Sequence, residues 1–204
     1  MGESITPLPH APATARNREP ILDVLGRVLP ASGTVLESAS GTGEHAAFFA
    51  SRLPALAWCP SDADPANVIA MGHRVSQVAL DNLRPPIRLD ASESCWPVDR
   101  ADAVFCANMI HIAPWGATVG LIAGAARILP AGGRLCLYGP FRTLRHPIAP
   151  SNVAFDAWLR ERNSAWGVRD LEVICDLAGS RALNLIETVE MPANNLMPLF
   201  EKTP

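Results

Sequence analysis

The sequence has 204 residues, of which 49% are hydrophobic and 18% charged, with a formal net charge of −3 at pH 7. This length suits one α/β domain over residues 1–204, and this apolar content excludes a disordered chain. Because nucleic-acid partners usually require a basic surface, the acidic balance favours a small-molecule partner instead.

Cysteine usage and apolar runs indicate a cytoplasmic protein. The five cysteines are odd in number and form no C-x-x-C pair, which disfavours a disulfide framework and a zinc site. The histidines show no metal-binding spacing, so we predict no metal. No run approaches the ~20 apolar residues of a membrane span, and the first residues lack the pattern of a secretory signal. We expect no membrane partner, and we leave a homodimer open.

The first half of the chain alternates between helix and strand. Residues 1–16 are proline-rich and are predicted to form an extended N-terminal arm, followed by a helix from about Pro20, a residue tolerated in a first helical turn. Asp64 precedes Pro65 and is predicted to cap a later helix. The predicted elements are a helix over 20–29, a strand over 34–38, a helix over 44–53, a strand over 55–60, a helix over 65–80 and a strand over 86–90.

The second half continues the alternation and then changes. Its predicted elements are a strand over 101–107, a helix over 115–129, a strand over 134–139, helices over 153–162 and 170–177, and strands over 182–191 and 196–201. The last two strands are too close in sequence for a helical crossover, so they must pair antiparallel. We therefore predict a doubly wound, Rossmann-like α/β fold, whose seven-stranded, mostly parallel sheet ends in an antiparallel hairpin.

Three acids and a glycine turn fall where an open α/β sheet binds ligands, beyond the carboxyl ends of its strands. Gly41 and Gly43 allow the backbone to turn tightly and to approach a ligand. Glu37 precedes this turn, and Asp62 and Asp90 follow the next two predicted strands. A carboxylate at Asp62 can accept ribose hydroxyl protons, and one at Asp90 can accept an adenine amino group.

The glycine turn also permits two other interpretations. Residues 41–46 fit the G-x-G-x-x-G/A fingerprint of nicotinamide and flavin enzymes. A glycine turn can also serve only to pack a helix on a sheet. The acid before the turn and the terminal hairpin count against the first alternative, and acids at three consecutive strand ends count against the second.

Residues 35–43 resemble motif I of class I methyltransferases, in which an acid precedes a glycine-rich turn. Over almost its whole length the chain is also similar to the bacterial "domain of unknown function 938" group, which includes the human methyltransferase-like 26 protein. The segments that carry this resemblance are 16–21, 39–46, 60–62, 166–170 and 191–196. The resemblance implies a class I fold that binds S-adenosylmethionine (SAM) as a substrate.

The resemblance and the strand ends together define the candidate site. The residues predicted to bind SAM are Asn17, Arg18, Glu37, Ser38, Gly41, Gly43, Asp62, Asp90, Ala91, Asn108 and Met109. Asn108, His111 and Tyr138 are the candidate catalytic residues. Methyl transfer from a sulfonium requires an aligned nucleophile and, for some acceptors, a base. His111 is the candidate base, and packing alone is the alternative for His111 and Tyr138.

The segment after the fifth strand, residues 142–152, departs from the polar loop that the resemblance implies and retains only Ser151-Asn152. This loop is expected on the acceptor side. The expected function is methyl transfer to a small molecule. The altered loop raises one alternative, in which the amino group of SAM attacks its own γ-carbon to give azetidine-2-carboxylate and methylthioadenosine. A non-catalytic SAM-binding protein is the other.

Overall fold

The structure is a computed structural model that describes residues 12–204, with side chains described from residue 14 onward. The helices are α1 (Pro12–Val28), α2 (Glu44–Arg52), α3 (Pro65–Val78), α4 (Trp115–Ile128), α5 (Pro150–Arg162) and α6 (Leu171–Gly179). The strands are β1 (Gly33–Ser38), β2 (Leu56–Asp62), β3 (Ile87–Arg88), β4 (Ala103–Ala107), β5 (Arg134–Tyr138), β6 (Phe141–Arg142), β7 (Arg169–Asp170), β8 (Leu183–Met191) and β9 (Asn195–Lys202). In residues 12–204, no helix combines the length and apolar character needed to cross a membrane.

Seven strands form one sheet in the order β3-β2-β1-β4-β5-β9-β8. The first five of these strands pair in parallel, whereas β9 is antiparallel to both β5 and β8. The predicted fold class is therefore confirmed, including the terminal hairpin. Strands β6 and β7 form a separate parallel pair. The sequence analysis did not predict this pair, because two-residue strands leave no periodic signal.

The N-terminal helix begins earlier than predicted. Helix α1 starts at Pro12, so Pro20 lies inside it, and residues 12–16 of the predicted extended arm are helical. Residues 1–11 of that arm lie outside the described residues. Buried Thr14 and Asn17 continue the buried face of Ile21 and Val24 at helical spacing. The prediction missed this turn because the buried residues there are polar.

The core lies on both faces of the sheet. Alternate residues of each central strand point to opposite sides, as Val35 and Leu36 do in β1. Val35 belongs to a cluster with buried residues of α1 and α2, and Leu36 to a cluster with buried residues of α4 and α6. Helices therefore cover both faces, which leaves the carboxyl ends of the strands as the natural place for a site.

Helix α4 approaches the loop after β3 at two glycines. A Cβ added to Gly120 would lie 2.8 Å from the Cα of Ser92 and still closer to the carbonyl oxygen of Ala91. At Gly124 the indole of Trp96 occupies the space that a side chain would need. Gly116, one turn earlier on the same helix, has no atom within 4 Å of its Cβ direction. The position of the Ala91 loop thus depends on the absence of a side chain at Gly120.

We expect Gly120→Ala to lower the free energy of unfolding by about 1–3 kcal/mol, because backbone atoms must move to accept the methyl group. Gly116→Ala is the matched control. It adds the same methyl group into open space and gains up to about 1 kcal/mol of helix propensity. Thermal unfolding followed by circular dichroism measures both variants. Equal melting temperatures for the two variants would contradict the close packing at Gly120.

Candidate functional site

The carboxyl ends of β1, β2, β4 and β5 meet at one edge of the sheet. Ser38 and Asp62 are the last residues of β1 and β2, while Asn108 and Gly139 directly follow β4 and β5. Because these four strands are parallel neighbours, the sheet brings their ends together. We call this region the carboxyl edge. It contains most of the residues that the sequence analysis selected.

The glycine turn after β1 has the left-handed backbone that its sequence predicts. Both Gly41 and Gly43 have positive φ, at 57° and 75°. A Cβ on Gly43 would lie 2.9 Å from Met71 Cγ, so close packing on α3 also requires a glycine there. A Cβ on Gly41 would meet no atom within 4 Å. The space beside Gly41 is therefore open to a ligand.

Asp62 is buried at the end of β2, and its carboxylate holds the glycine turn. The Gly41 N–H donates to Oδ2 at 2.9 Å. The Asp64 N–H and the Asn67 side-chain amide donate to Oδ1, at 2.9 Å and 3.1 Å. A carboxylate accepts about four hydrogen bonds, so Oδ2 retains the capacity for one more donor from a ligand.

Glu37 is buried near the end of β1, where its carboxylate contacts Trp58. Only 2% of its surface is exposed, and its Oε2 accepts a hydrogen bond of 2.6 Å from the indole N–H of Trp58. Burial raises the pKa of Glu37 to about 8. The loop hydroxyls of Ser40 and Ser61 donate to its backbone carbonyl, not to its carboxylate. Ser38, the next residue, is also buried.

The loop after β3 places Asp90 and Ala91 beside α4. Asp90 is half-buried, and its Oδ1 accepts hydrogen bonds from the Ser92 N–H and hydroxyl, at 2.8 Å and 2.7 Å. Ala91 is buried against Gly120. These contacts fix the loop through Oδ1 of Asp90, so a ligand donor would be accepted by the other carboxylate oxygen.

A buried polar cluster joins α1 to the carboxyl edge. His45 Nε2 donates to Asn17 Oδ1 at 2.8 Å, and the side chains of Asn17 and Asn195 lie next to Tyr138, where they partly offset the rise in its pKa that burial causes. Burial, followed by the charge of Arg18, lowers the pKa of His45 to about 4, so this histidine is neutral at pH 7. The sequence analysis assigned no role to His45 or Asn195, although both lie in segments that carry the family resemblance.

Arg18, the residue after Asn17, lies close to His45 of this cluster. Its guanidinium carbon is 4.6 Å from the centroid of the Phe48 ring, in a cation–π contact. Its buried Nε atom has no hydrogen-bond partner among the residues that the structure describes. A buried N–H donor without a partner is costly, so this atom is well suited to a ligand acceptor such as a carboxylate.

His111 does not have the properties of a base that acts near neutral pH. Its side chain has no exposed surface, and neither ring nitrogen has a hydrogen-bond partner within the described residues. Burial, followed by the charge of Arg169, lowers the pKa of His111 to about 3. The ring packs edge-on against Phe141 with centroids 5.0 Å apart. The structure therefore favours packing, the alternative that the sequence left open for this residue.

Asn108 and Met109 follow β4 at the carboxyl edge. Asn108 has a φ of 62°, and its N–H donates to the Tyr138 carbonyl at 2.8 Å. A Cβ on Gly139, whose φ is 157°, would lie 2.5 Å from His111 Nε2 and 3.3 Å from Asn108 Oδ1. A side chain at position 139 would therefore collide with the His111 ring and crowd the Asn108 amide. In the described part of the chain, no group of three or more His, Cys, Asp or Glu residues could hold a metal ion.

Several solved structures of methyltransferases match this fold. An O-methyltransferase family 2 protein from Planctomyces limnophilus DSM 3776, in complex with apigenin, matches with a TM-score of 0.78, 18% identity and coverage of 94% of this chain and 58% of that chain. An O-methyltransferase family protein from Burkholderia thailandensis matches with a TM-score of 0.79, 16% identity and coverage of 94% and 57%. Mitomycin 7-O-methyltransferase matches with a TM-score of 0.78, 13% identity and coverage of 94% and 54%.

The chain thus spans little more than half the length of these three proteins. At such identities, the likeness establishes the class I methyltransferase fold and not a shared substrate. A family model described as "Protein of unknown function (DUF938)" matches residues 8–202, which is nearly the whole chain. The chain therefore belongs to the DUF938 family.

Proposed function

We propose that this protein is an enzyme that transfers a methyl group from SAM to a small-molecule acceptor. The observation that carries the proposal is the Asp62 carboxylate, buried at the end of β2 and bonded to the open side of the glycine turn. This arrangement offers one acceptor oxygen and one unobstructed backbone surface to the same ligand. The class I methyltransferase fold of the structural relatives supports the same assignment.

The carboxyl edge has groups suited to each part of SAM. Asp62 would accept a ribose hydroxyl through Oδ2. Asp90 would accept a hydrogen bond from the adenine amino group, and Ala91 and Met109 would pack against the adenine ring. Ser38 would lie under the glycine turn. Arg18 would bind the methionine carboxylate through its unpartnered Nε, with Asn17 and Asn108 beside it. Gly41 and Gly43 would allow close approach of the backbone. Glu37 is buried and bonds to Trp58 through its carboxylate, so we assign it no ligand contact.

When bound, SAM supplies a methyl group on a positively charged sulfur, which leaves as a neutral thioether. The task of the protein is then to align the acceptor and to exclude water. Neither His111 nor Tyr138 is suited to remove a proton near pH 7, because burial makes the imidazole weakly basic and raises the pKa of the phenol. We therefore propose that Asn108 and Tyr138 help to position the substrates and that His111 packs beneath these two residues.

We expect Asp62→Ala to weaken SAM binding about 10- to 100-fold, since a hydrogen bond to a charged acceptor contributes about 1.5–3 kcal/mol. Isothermal titration calorimetry with SAM measures the effect. The control is Asp99→Ala, which removes an exposed carboxylate of the same type from another loop. An unchanged SAM affinity in Asp62→Ala would place the ribose elsewhere.

The products of turnover separate methyl transfer from the alternatives that the sequence raised. Wild-type protein with SAM and a pool of small metabolites should form S-adenosylhomocysteine and a methylated product, detected by mass spectrometry. Methylthioadenosine formed from SAM alone would replace methyl transfer with intramolecular cyclisation. Tight binding of SAM with no product from any pool would favour a non-catalytic SAM-binding protein.

Glu37 should make folding stability depend on pH. Its pKa is raised from 4.5 to about 8, so between these values the folded state retains a proton that the unfolded state releases. Stability from this group is therefore full below pH 4.5 and declines as the pH rises towards 8. We expect Glu37→Gln, which retains an acceptor for Trp58, to gain in melting temperature relative to wild type between pH 5 and pH 8.

The control for this prediction is Glu93→Gln, which changes an exposed carboxylate. The buried histidines titrate equally in wild type and variant, so their effects cancel in the difference. A melting-temperature difference between wild type and Glu37→Gln that stays constant with pH would show that Glu37 is ionised in the folded protein.

A further inference from the structure

A chamber of about 270 Å³ lies next to the carboxyl edge, between the segment after β5 and the turn of the terminal hairpin. Phe141, Thr143 and residues 146–149 form one wall, Asn152 lies at one end, and residues 190–191 and 194–196 form the other wall. The Asn152 side-chain amide donates to the Asn194 carbonyl at 2.9 Å, and the Asn194 side-chain amide donates to the Ser151 hydroxyl at 3.0 Å. These bonds join the start of α5 to the hairpin turn, so this end of the chamber is part of the folded architecture.

The inner end of the chamber reaches the carboxyl edge at β5. Leu196 and Gly139 exchange two backbone hydrogen bonds, at 2.8 Å and 3.1 Å, and Gly139 directly follows β5. Asn195 lies next to the side chain of Tyr138, and Phe141 packs on His111. The chamber thus adjoins the carboxyl edge where β5 ends, on the side from which an acceptor would approach the residues proposed to hold SAM.

The residues that line the chamber favour a ligand that has an apolar body and carries no anionic group. Phe141, Ile148, Met191 and Leu196 supply apolar surface, and Asn152, Asn194 and Asn195 supply neutral polar groups. Among the described residues that line the chamber, none is a lysine or arginine, whereas Glu190 is a carboxylate. A carboxylate or phosphate on the acceptor would find no cation there to offset its loss of water.

A second groove of about 500 Å³ continues from the chamber and shares Thr143, His146, Glu190 and Leu196 with it. Its walls add Glu172 and Asp176, as well as Glu187, which forms an ion pair with Arg27, and Arg145 is the only arginine among the described residues that line the groove. Burial, followed by the charges of Glu172 and Asp176, raises the pKa of Cys175 in this groove to about 11. The approach to the chamber is therefore electrostatically negative, which attracts cations.

Proton balance also distinguishes the classes of nucleophile. A hydroxyl acceptor requires a base in the transition state, and the two buried candidates, His111 and Tyr138, do not provide one near pH 7. An amine in its neutral form carries a free lone pair and needs no such base. The other titratable bases among the described residues that line the chamber are His146 and Glu190, and both are exposed to solvent.

We propose that the chamber binds the methyl acceptor and that this acceptor is a small organic amine with an apolar body, its ammonium form held by Glu190. This inference rests on the proposed function. The bound ammonium loses a proton to water through the open groove. The nitrogen lone pair then forms the bond to the methyl carbon while the carbon–sulfur pair stays on sulfur. The methylated nitrogen is then an ammonium group, and it releases a second proton to water.

Three probes with the same ring test the class of acceptor: benzylamine, benzyl alcohol and benzoate. Each is titrated into full-length protein saturated with S-adenosylhomocysteine, and binding is followed by ligand-observed NMR at pH 7.5. We expect benzylamine to bind about fivefold or more tightly than benzoate, and Glu190→Gln to reduce this ratio about threefold or more, the range for one partly exposed charge. Glu161→Gln, on the exposed face of α5, is the matched control and should leave the ratio unchanged.

The outcomes separate this inference from the proposed function. Wild-type protein that does not bind S-adenosylhomocysteine contradicts the proposed function itself. If S-adenosylhomocysteine binds but benzylamine does not bind, or shows no preference over benzoate, only the amine acceptor is overturned. A ratio that Glu190→Gln leaves unchanged removes Glu190 from the site. Methylation of benzyl alcohol that His146→Asn abolishes would replace the amine with a hydroxyl acceptor and His146 as its base.

Discussion

The hydrogen bond from the Gly41 N–H to the Asp62 carboxylate, 2.9 Å long, connects the two parts of the chain on which the carboxyl edge depends. It ties the turn after β1 to the end of β2. The Ser40 N–H donates to the Ser61 carbonyl and adds a backbone bond between the same turn and the same strand. A buried carboxylate is tolerated only where donors satisfy it. Three donors do so here and leave one position for a ligand. The same carboxylate thus sets the shape of the turn and keeps a binding capacity.

The Asn17 amide extends this constraint to the N-terminal helix. Its bond to His45, in the first turn of α2, and its place beside Tyr138, at the end of β5, hold α1 against two elements of the carboxyl edge. Since Arg18 is the next residue, the position of its guanidinium follows from the same buried cluster. Polar groups in low dielectric are strongly directional, so a satisfied cluster of this kind specifies one placement of the helix. Apolar packing of Ile21 and Val24 alone would allow more sliding.

Most of the fold could be predicted because hydrophobic periodicity, glycines and prolines marked nearly every element, and because the short connection at residues 192–195 required an antiparallel hairpin. The start of α1 could not, because its first buried positions, Thr14 and Asn17, are polar and acquire partners only from distant residues. The site was predicted in part. Asp62 and the glycines occupy the expected positions, but the burial of Glu37 and His111 depends on Trp58, Phe141 and Gly139, whose proximity only the folded sheet creates. DUF938 membership is confirmed, whereas the relation to methyltransferase-like 26 stays a prediction.

The two halves of the carboxyl edge are built by different means, and this difference bears on function. The half proposed for SAM lies on a tight glycine turn and on the ends of parallel strands, and the fold that supplies these strand ends is shared with the structural relatives. The chamber is built from the irregular segment after β5 and from the hairpin turn, where Ala193 and Asn194 adopt positive φ. Irregular segments carry specificity on a rigid scaffold because they change without disturbing the core. A sequence change confined to residues 142–152, which follow β5, can therefore alter which acceptor binds. The turn held by Asp62 retains its geometry, because β1 and β4 separate β2 from β5 in the sheet.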